Sequence, residues 1–247
     1  MIDWGSEKGW SRHQHFGLRR LWLDLYFAER REWRRHSSLG NRQVESLQVW
    51  LKTTGIEDRE GELTPLGEQF AVRGTACLPL WELVWVNVVF NFPTGRWYAH
   101  LGRGEWTTTE LKLLLRQTVP RLADWTVSNA VMELVGFLEQ TPVGSELAQG
   151  AVVGRRPRRI VRRGWEPSDA AIVHALGRLY LQQGRTLLLW EEKLTWPWVV
   201  FGCRREIVLE RLVFMEQNCF EVGEKGITIR IEDKEWWQCG VTAISLL

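Results

Sequence analysis

Lysine is scarce in this chain of 247 residues, with six against 26 arginines. Arginine is the planar, permanently charged donor that suits phosphate and base edges, whereas lysine is a compact point charge. An arginine bias also follows from a GC-rich genome, so composition alone leaves both readings open. Cysteine is sparse as well. Cys77, Cys203, Cys219 and Cys239 are far apart and form no C-x-x-C pair. The five histidines are scattered, and only His13-Gln14-His15 is a close pair. No zinc or iron–sulfur ligand spacing results, so we expect no metal, no cofactor, and reduced, buried structural cysteines. Long apolar runs are missing too. The longest, Leu78 to Phe92, is interrupted by Glu82 and Asn87 and falls short of the roughly 18 residues of a membrane span. The opening Met1-Ile2-Asp3-Trp4 has no basic segment followed by an apolar one, so no signal peptide is expected. The expectation is a soluble, cytoplasmic, globular protein with no membrane partner.

Catalytic signatures are equally thin. No serine sits in a Gly-x-Ser-x-Gly elbow, and no cysteine has a nucleophile context. Gly102-Arg103-Gly104 lacks the spacing of a phosphate-cradling loop. Glu191-Glu192 and Glu232-Asp233 with Glu235 are neighbours in sequence whose side chains point to different faces. We therefore expect a protein that is not an enzyme.

What is present is charge in two places, and tryptophan. The formal net charge is only +2. Residues 12–42 nevertheless hold eight arginines against three acids, and residues 154–164 hold six arginines and no acid. The rest of the chain is acidic. Local basic charge on such a chain suggests an anionic partner, nucleic acid first. Sixteen tryptophans exceed what a core of this size needs. They pack at helix junctions or serve as interface anchors.

Apolar spacing predicts a helix from Phe16 to Arg35, with Leu18, Leu21, Trp22, Leu25 and Tyr26 inward, and a second from Asn41 to Thr54 that Gly55 stops. The second helix leaves Arg42, Gln43, Ser46 and Lys52 outside. Ile56 to Thr64 reads as a small hairpin, and Thr64-Pro65 opens another helix. Helix, helix, hairpin is the local order of a winged-helix unit, although small helical domains also end this way without touching DNA. Leu80 to Asn91 is apolar nearly all round and predicts a buried helix. Thr107 and Glu110 form a capping box, and a further helix runs to about Gln140.

Residues 142–164, punctuated by glycine and proline, read as a connector. Its second half is an extended basic arm carrying Arg155, Arg156, Arg158, Arg159, Arg162 and Arg163. A helix over 170–183, a short helix over 187–194, a third over 204–217 and a hairpin through Lys225 and Arg230 complete a second winged-helix-like unit. A last strand through Val241, Ala243 and Ile244 is possible on composition. The expected fold is thus mainly α: an N-terminal winged-helix-like unit (1–76), a helical middle segment (77–141), an arginine-rich connector (142–165) and a C-terminal winged-helix-like unit (166–247).

The series Phe16-Gly-Leu-Arg-Arg-Leu-Trp-Leu23, Leu39-Gly-Asn-Arg-Gln-Val-Glu-Ser-Leu-Gln-Val-Trp-Leu51 and Glu62-Leu-Thr-Pro-Leu-Gly67 resembles a prokaryotic family. It is domain-of-unknown-function family four-thousand-and-seven. The likeness continues through Leu80-Trp81, Phe90-Asn-Phe92, Trp106-Thr-Thr-Thr-Glu-Leu111 and the closing helix and hairpin, Arg205 to Arg230. Members are encoded beside proteins similar to phosphoadenosine-phosphosulfate reductases, in loci linked to DNA sulfur modification (phosphorothioation) and phage defence. The resemblance implies an accessory role there, with no catalytic residues to carry over.

Two functions follow as expectations. One is a non-catalytic subunit that binds duplex DNA. It would use Arg42, Gln43, Ser46 and Lys52 on the first unit, the six arginines of the arm, and Arg204, Arg205, Arg211, Lys225 and Arg230 on the second. The other is a protein–protein adaptor for a reductase-like partner, with no direct DNA contact.

Overall fold

The computed structural model describes residues 2–29, 33, 38–155, 157–215 and 220–230. The strand expected around Val241–Ile244 lies outside them, as do the arginines at 30, 31, 34, 35 and 156. The described chain is mainly helical with two small antiparallel sheets. No helix among the described residues is long and apolar enough to cross a membrane.

Three helices open the chain: α1 (Arg20–Glu29), α2 (Asn41–Thr53) and α3 (Pro65–Arg73). Thr64 caps α3 through the Gly67 amide, with Pro65 at the first helical position. The hairpin expected between α2 and α3 reduces to a single bridge, Glu57 to Leu63. The two arms around it are joined by the Thr64 hydroxyl donating to the Gly55 carbonyl, the Thr64 amide to Ile56 and the Asp58 amide to Glu62, so the hairpin is too short to form a sheet with a third strand.

Helix α4 (Leu78–Asn91) is the centre of the core, and every residue from Leu80 to Phe90 is buried. The two polar residues that interrupt its apolar run are cross-links. Glu82 accepts from the indole of Trp165 and from the amide and hydroxyl of Ser168, the residue that caps the later helix α9. Asn87 donates to the Thr54 carbonyl at 2.9 Å and faces His174 at 3.0 Å. Burial of such groups is tolerated because each finds partners.

An aromatic stack ties four segments to this centre. His13 lies on Trp50 with ring centroids 3.8 Å apart, Trp50 on Phe137 at 5.2 Å, and Phe137 on Trp85 at 6.3 Å. The Trp85 indole also donates to the Val200 carbonyl at 2.7 Å. Each pair adds roughly 0.5–1.5 kcal/mol beyond the area it buries.

Phe92-Pro93 ends α4 and at once starts a new helix, α5 (Pro93–His100). From there the chain runs β1 (Gly104–Thr107), α6 (Thr108–Thr118), α7 (Asp124–Gln140), the single turn α8 (Pro142–Ser145), β2 (Ala151–Val153) and β3 (Arg159–Arg162). The expected capping box is in place, with Thr107 and Glu110 satisfying each other's amides. β3 pairs with both β1 and β2, in the order β1-β3-β2, with Thr107 opposite Arg159 and Val153 opposite the same residue. The basic arm is therefore a β-hairpin rather than an extended connector. Pro157 sits in its tip, where no ladder amide is needed.

The last part repeats that plan: α9 (Asp169–Gln183), β4 (Leu187–Leu189), α10 (Pro197–Phe201), α11 (Arg205–Phe214), β5 (Phe220–Val222) and β6 (Gly226–Ile229). The sheet order is β4-β6-β5, again with the last strand in the middle. Leu187–Leu189, expected to be helical, is a strand paired with Gly226–Thr228. Leucine favours helices only weakly, and pairing with β6 overrides it. Apart from the single turn α8 before the first hairpin, both stretches thus read helix, strand, helix, helix, hairpin, with antiparallel strands ordered first, third, second.

The buried histidines give the fold a pH dependence. Burial, with Arg178 adding, pushes His174 down to about 3. Burial, with Arg96 and Arg162 adding, pushes His100 down to about 4. In the unfolded chain each takes up a proton near pH 6.5. Below that pH the unfolded state binds more protons than the folded one, so stability falls as pH drops from about 6.5 towards those folded values. The slope is about 1.4 kcal/mol per pH unit for each group. Urea midpoints at pH 7.5 and pH 5 should differ clearly, with the protein weaker at pH 5; equal midpoints would contradict the burial of these imidazoles.

Candidate nucleic-acid interface

The arginines of the hairpin do not share one fate. Along β3 alternate side chains face opposite ways, and Ile160 and Arg162 both point inward. Arg162 is buried and is clasped by oxygens. Its guanidinium donates to Ala99 and Gly102 at the end of α5, to Val199 and Val200 in α10, and to the Gln149 side chain, at 2.7, 3.2, 3.1, 2.8 and 3.1 Å. Burial lowers its pKa to about 10, so it stays charged at neutral pH. The expectation that Arg162 contacts a ligand is therefore corrected: it is a structural tie between the two repeated units.

Arg159 pairs with Glu105 of β1 at 2.9 Å, and Arg158 with Glu139 near the end of α7. Both are neutralised in place. Arg155 at the tip and Arg163 just beyond β3 are exposed and have no carboxylate partner among the described residues. They lie at opposite ends of the hairpin, so the arm is not one continuous basic face. Arg156 lies outside the described residues.

In the first unit, Arg42 is exposed. Gln43 is spent capping the Gly40 amide at 3.1 Å, and the Lys52 ammonium donates to the Arg59 carbonyl at 2.6 Å. Ser46 is fully buried and donates to the His13 carbonyl at 2.8 Å; the expectation that it faces a ligand is corrected. The cause is the segment before α1, which covers this face of α2.

In the last unit, Arg204 and Lys225 are exposed. Arg205 is exposed and lies over the Trp198 ring at 5.5 Å. Arg211 is tied to Asp169 and the Pro167 carbonyl, and Arg230 to Glu221. Of the basic side chains expected at the site, those left open among the described residues are thus Arg42, Arg155, Arg163, Arg204, Arg205 and Lys225.

Sequence reading overlooked helix α7 as a surface. Its outer stripe carries Trp125, Ser128, Asn129, Met132 and Glu139, spaced at three- and four-residue steps. Lys112 of α6 donates to Ser128 at 2.9 Å, and Arg116 pairs with Asp124. Arg121, just before the helix, is exposed with no carboxylate partner among the described residues. The Arg158–Glu139 pair sets the hairpin tip beside the far end of the same helix.

Residues 11–17 cross α7 at its middle. The crossing is close: a Cβ at Gly17 would lie 2.0 Å from the Phe137 amide nitrogen. Its anchor is Glu133, fully buried, which accepts from the Ser11 hydroxyl at 2.7 Å, from the amides of Arg12, His13 and His15, and from His13 Nδ1 at 3.0 Å. Burial alone would raise the Glu133 pKa. Hydrogen bonds from His13 and Ser11 outweigh it and hold the carboxyl below its usual range. Burial also pushes His13 down, so the imidazole is neutral and donates through Nδ1. Gln14 and His15 take positive φ, at 52° and 68°, to aim their neighbours' amides at this carboxylate, and both are left exposed. The His13-Gln14-His15 pair was the sequence signal for this cradle.

A cavity of about 580 Å3 lies between the first residues, Arg96 and the 191–195 loop. Of the acids that line it, Asp3, Glu7, Glu191 and Glu192, Glu7 pairs with Arg96 and Glu192 with Arg185. Among the described residues, no group of three or more His, Cys, Asp or Glu side chains is placed to hold a metal ion.

No family model matches the chain, and no curated protein does. Among solved structures, a "magnesium ion-bound SspB crystal structure" matches with a TM-score of 0.66 and 14% identity, over 97% of this chain and 88% of that one. The likeness is one of fold.

Proposed function

We propose that the protein is a DNA-binding accessory subunit of a prokaryotic DNA-modification or defence system, with phosphorothioate-linked loci the context its family resemblance implies. The observation that carries this reading is the repeated plan over residues 93–162 and 169–229: helix, strand, helix, helix, hairpin, with sheet orders β1-β3-β2 and β4-β6-β5. That is the order of a winged helix, in which the third helix and the wing approach the duplex. On this reading α7 and α11 are the third helices. The tips at Arg155 and Lys225 are the wings, and both are exposed.

Each phosphate neutralised releases counterions, so affinity should fall steeply with salt, with a log–log slope of roughly −0.9 per phosphate contact. Binding of a labelled duplex, followed by fluorescence anisotropy across a salt series, tests it. Changing Arg155, Arg163 and Arg204 together to Ala should flatten the slope by about two to three. Binding that ignores salt, or a triple variant with the slope of the unmodified protein, would overturn the assignment.

A second reading has its own observation. Val213 and Phe214 at the end of α11 are exposed, Phe214 to 89%. Exposed apolar side chains at a helix end suit a protein partner, and the resemblance implies one similar to phosphoadenosine-phosphosulfate reductases. Co-purification with that partner, lost on Phe214→Asp, would favour an adaptor.

A further inference from the structure

Of the tryptophans among the described residues, Trp125 alone is exposed, at 67%. The others are buried or half-buried in the core and its margins. Trp125 stands in the first turn of α7, a 17-residue helix, and is held on a rigid element. Its neighbours on the same face are polar, Ser128 and Asn129, with the half-open Met132 one turn further on. The charge around it is basic. Lys112 reaches Ser128 at 2.9 Å, Arg116 holds Asp124, and Arg121 is exposed with no carboxylate partner among the described residues.

An exposed indole costs free energy that a solvated face would avoid, and here a cationic fringe frames it. An aromatic plate among cations suits a nucleobase still attached to its phosphates. Every base has a π-face, and stacking on an aromatic side chain contributes roughly 1–3 kcal/mol. Inside a duplex both faces of a base are covered by its neighbours. A base that can stack on Trp125 is therefore one that is unpaired or turned out of the helix.

We propose that Trp125 is the stacking platform for an unpaired nucleobase, with Arg121 and Lys112 flanking the adjoining phosphates. This deepens the DNA-binding reading above and rests on it.

The test compares two labelled duplexes of the same sequence by fluorescence anisotropy, one fully paired and one with a single bulged base. The unmodified protein should bind the bulged duplex more tightly. Trp125→Ala should weaken that complex about tenfold or more, weaken the paired duplex far less, and remove the preference. Trp125→Phe should keep most of it. Circular dichroism melts should be unchanged, because the side chain is outside the core.

Equal loss on both duplexes, or none on either, would overturn the platform. So would loss of a dimer in sedimentation with nucleic-acid affinity unchanged, which would make this face a contact between copies of the chain. These outcomes are separable from failure of the parent reading, in which the unmodified protein shows no salt-dependent binding to either duplex.

Discussion

Changing Arg162 to Ala is expected to lower folding stability by about 3 kcal/mol or more, because it strands several buried acceptors at once. The guanidinium has no carboxylate partner. Its charge is offset by the carbonyls of Ala99, Gly102, Val199 and Val200, the first two at the C-terminal end of α5, where the helix dipole favours a cation. Removing it leaves those oxygens, and that of Gln149, facing an empty space. An orphaned buried acceptor costs about 1–3 kcal/mol, partly recovered if water enters. Arg162→Lys should rescue little, because an ammonium cannot span acceptors on two separate helices as the planar fork does. Urea denaturation followed by far-UV circular dichroism reads the effect. A loss below 1 kcal/mol would show that the clasp adds nothing. Because Arg162 is buried, the variant should still bind DNA in the cold, where it remains folded; an affinity loss there would return this residue to the ligand surface.

The arm shows where sequence reading reaches its limit. Six arginines in eleven residues look alike on paper, yet the fold divides them by strand parity and by the carboxylates it brings near. Arg162 turns inward with Ile160 because side chains alternate along β3. Glu105 and Glu139, distant in sequence, neutralise Arg159 and Arg158. None of this is visible without the pairing of β1 with β3.

Legible were α2 and α3 from periodicity and their end residues, α4 from its nearly continuous apolar run, the capping box of α6, and the hairpin of β5 and β6. The strands β1 to β4 were not. They are three or four residues long, no shorter than β5 and β6, but only their partners fix them as strands. The consequence for the site is direct. The repeated helix–strand–helix–helix–hairpin plan falls at 93–162 as well as at 169–229, whereas the sequence placed its first hairpin in the loop between α2 and α3. Ser46 was misjudged for a related reason. Its position on α2 is polar and outward by helical periodicity, but residues 11–17 lie across that face. Trp125 was missed because exposure is a property of the surroundings, and sixteen tryptophans give no sign of which one is left open.

The second large effect should come from Glu133. This side chain is the anchor by which residues 11–17 are held across α7, and it faces five donors at once. Glu133→Ala strands the buried His13 amide and imidazole and loosens the amides of Arg12 and His15, which should cost about 3 kcal/mol or more. Glu133→Gln should be nearly as damaging, since an amide nitrogen meets donors where the carboxylate oxygen met them. The pH sign follows from the carboxyl's folded pKa being held below its unfolded one. The cradle contributes fully above about pH 4.5 and is lost as pH falls beneath that. Urea melts give the size, and limited proteolysis gives the place. If the strap merely frays in Glu133→Ala, cleavage should appear between residues 11 and 17 with the urea midpoint nearly unchanged. If the strap is part of the core, as the stack of His13 on Trp50 implies, midpoint and cleavage should shift together. The cooperative result is the expected one, because Gly17 and Gly136 bring the two backbones into direct contact, and α7 cannot keep its packing once that contact opens.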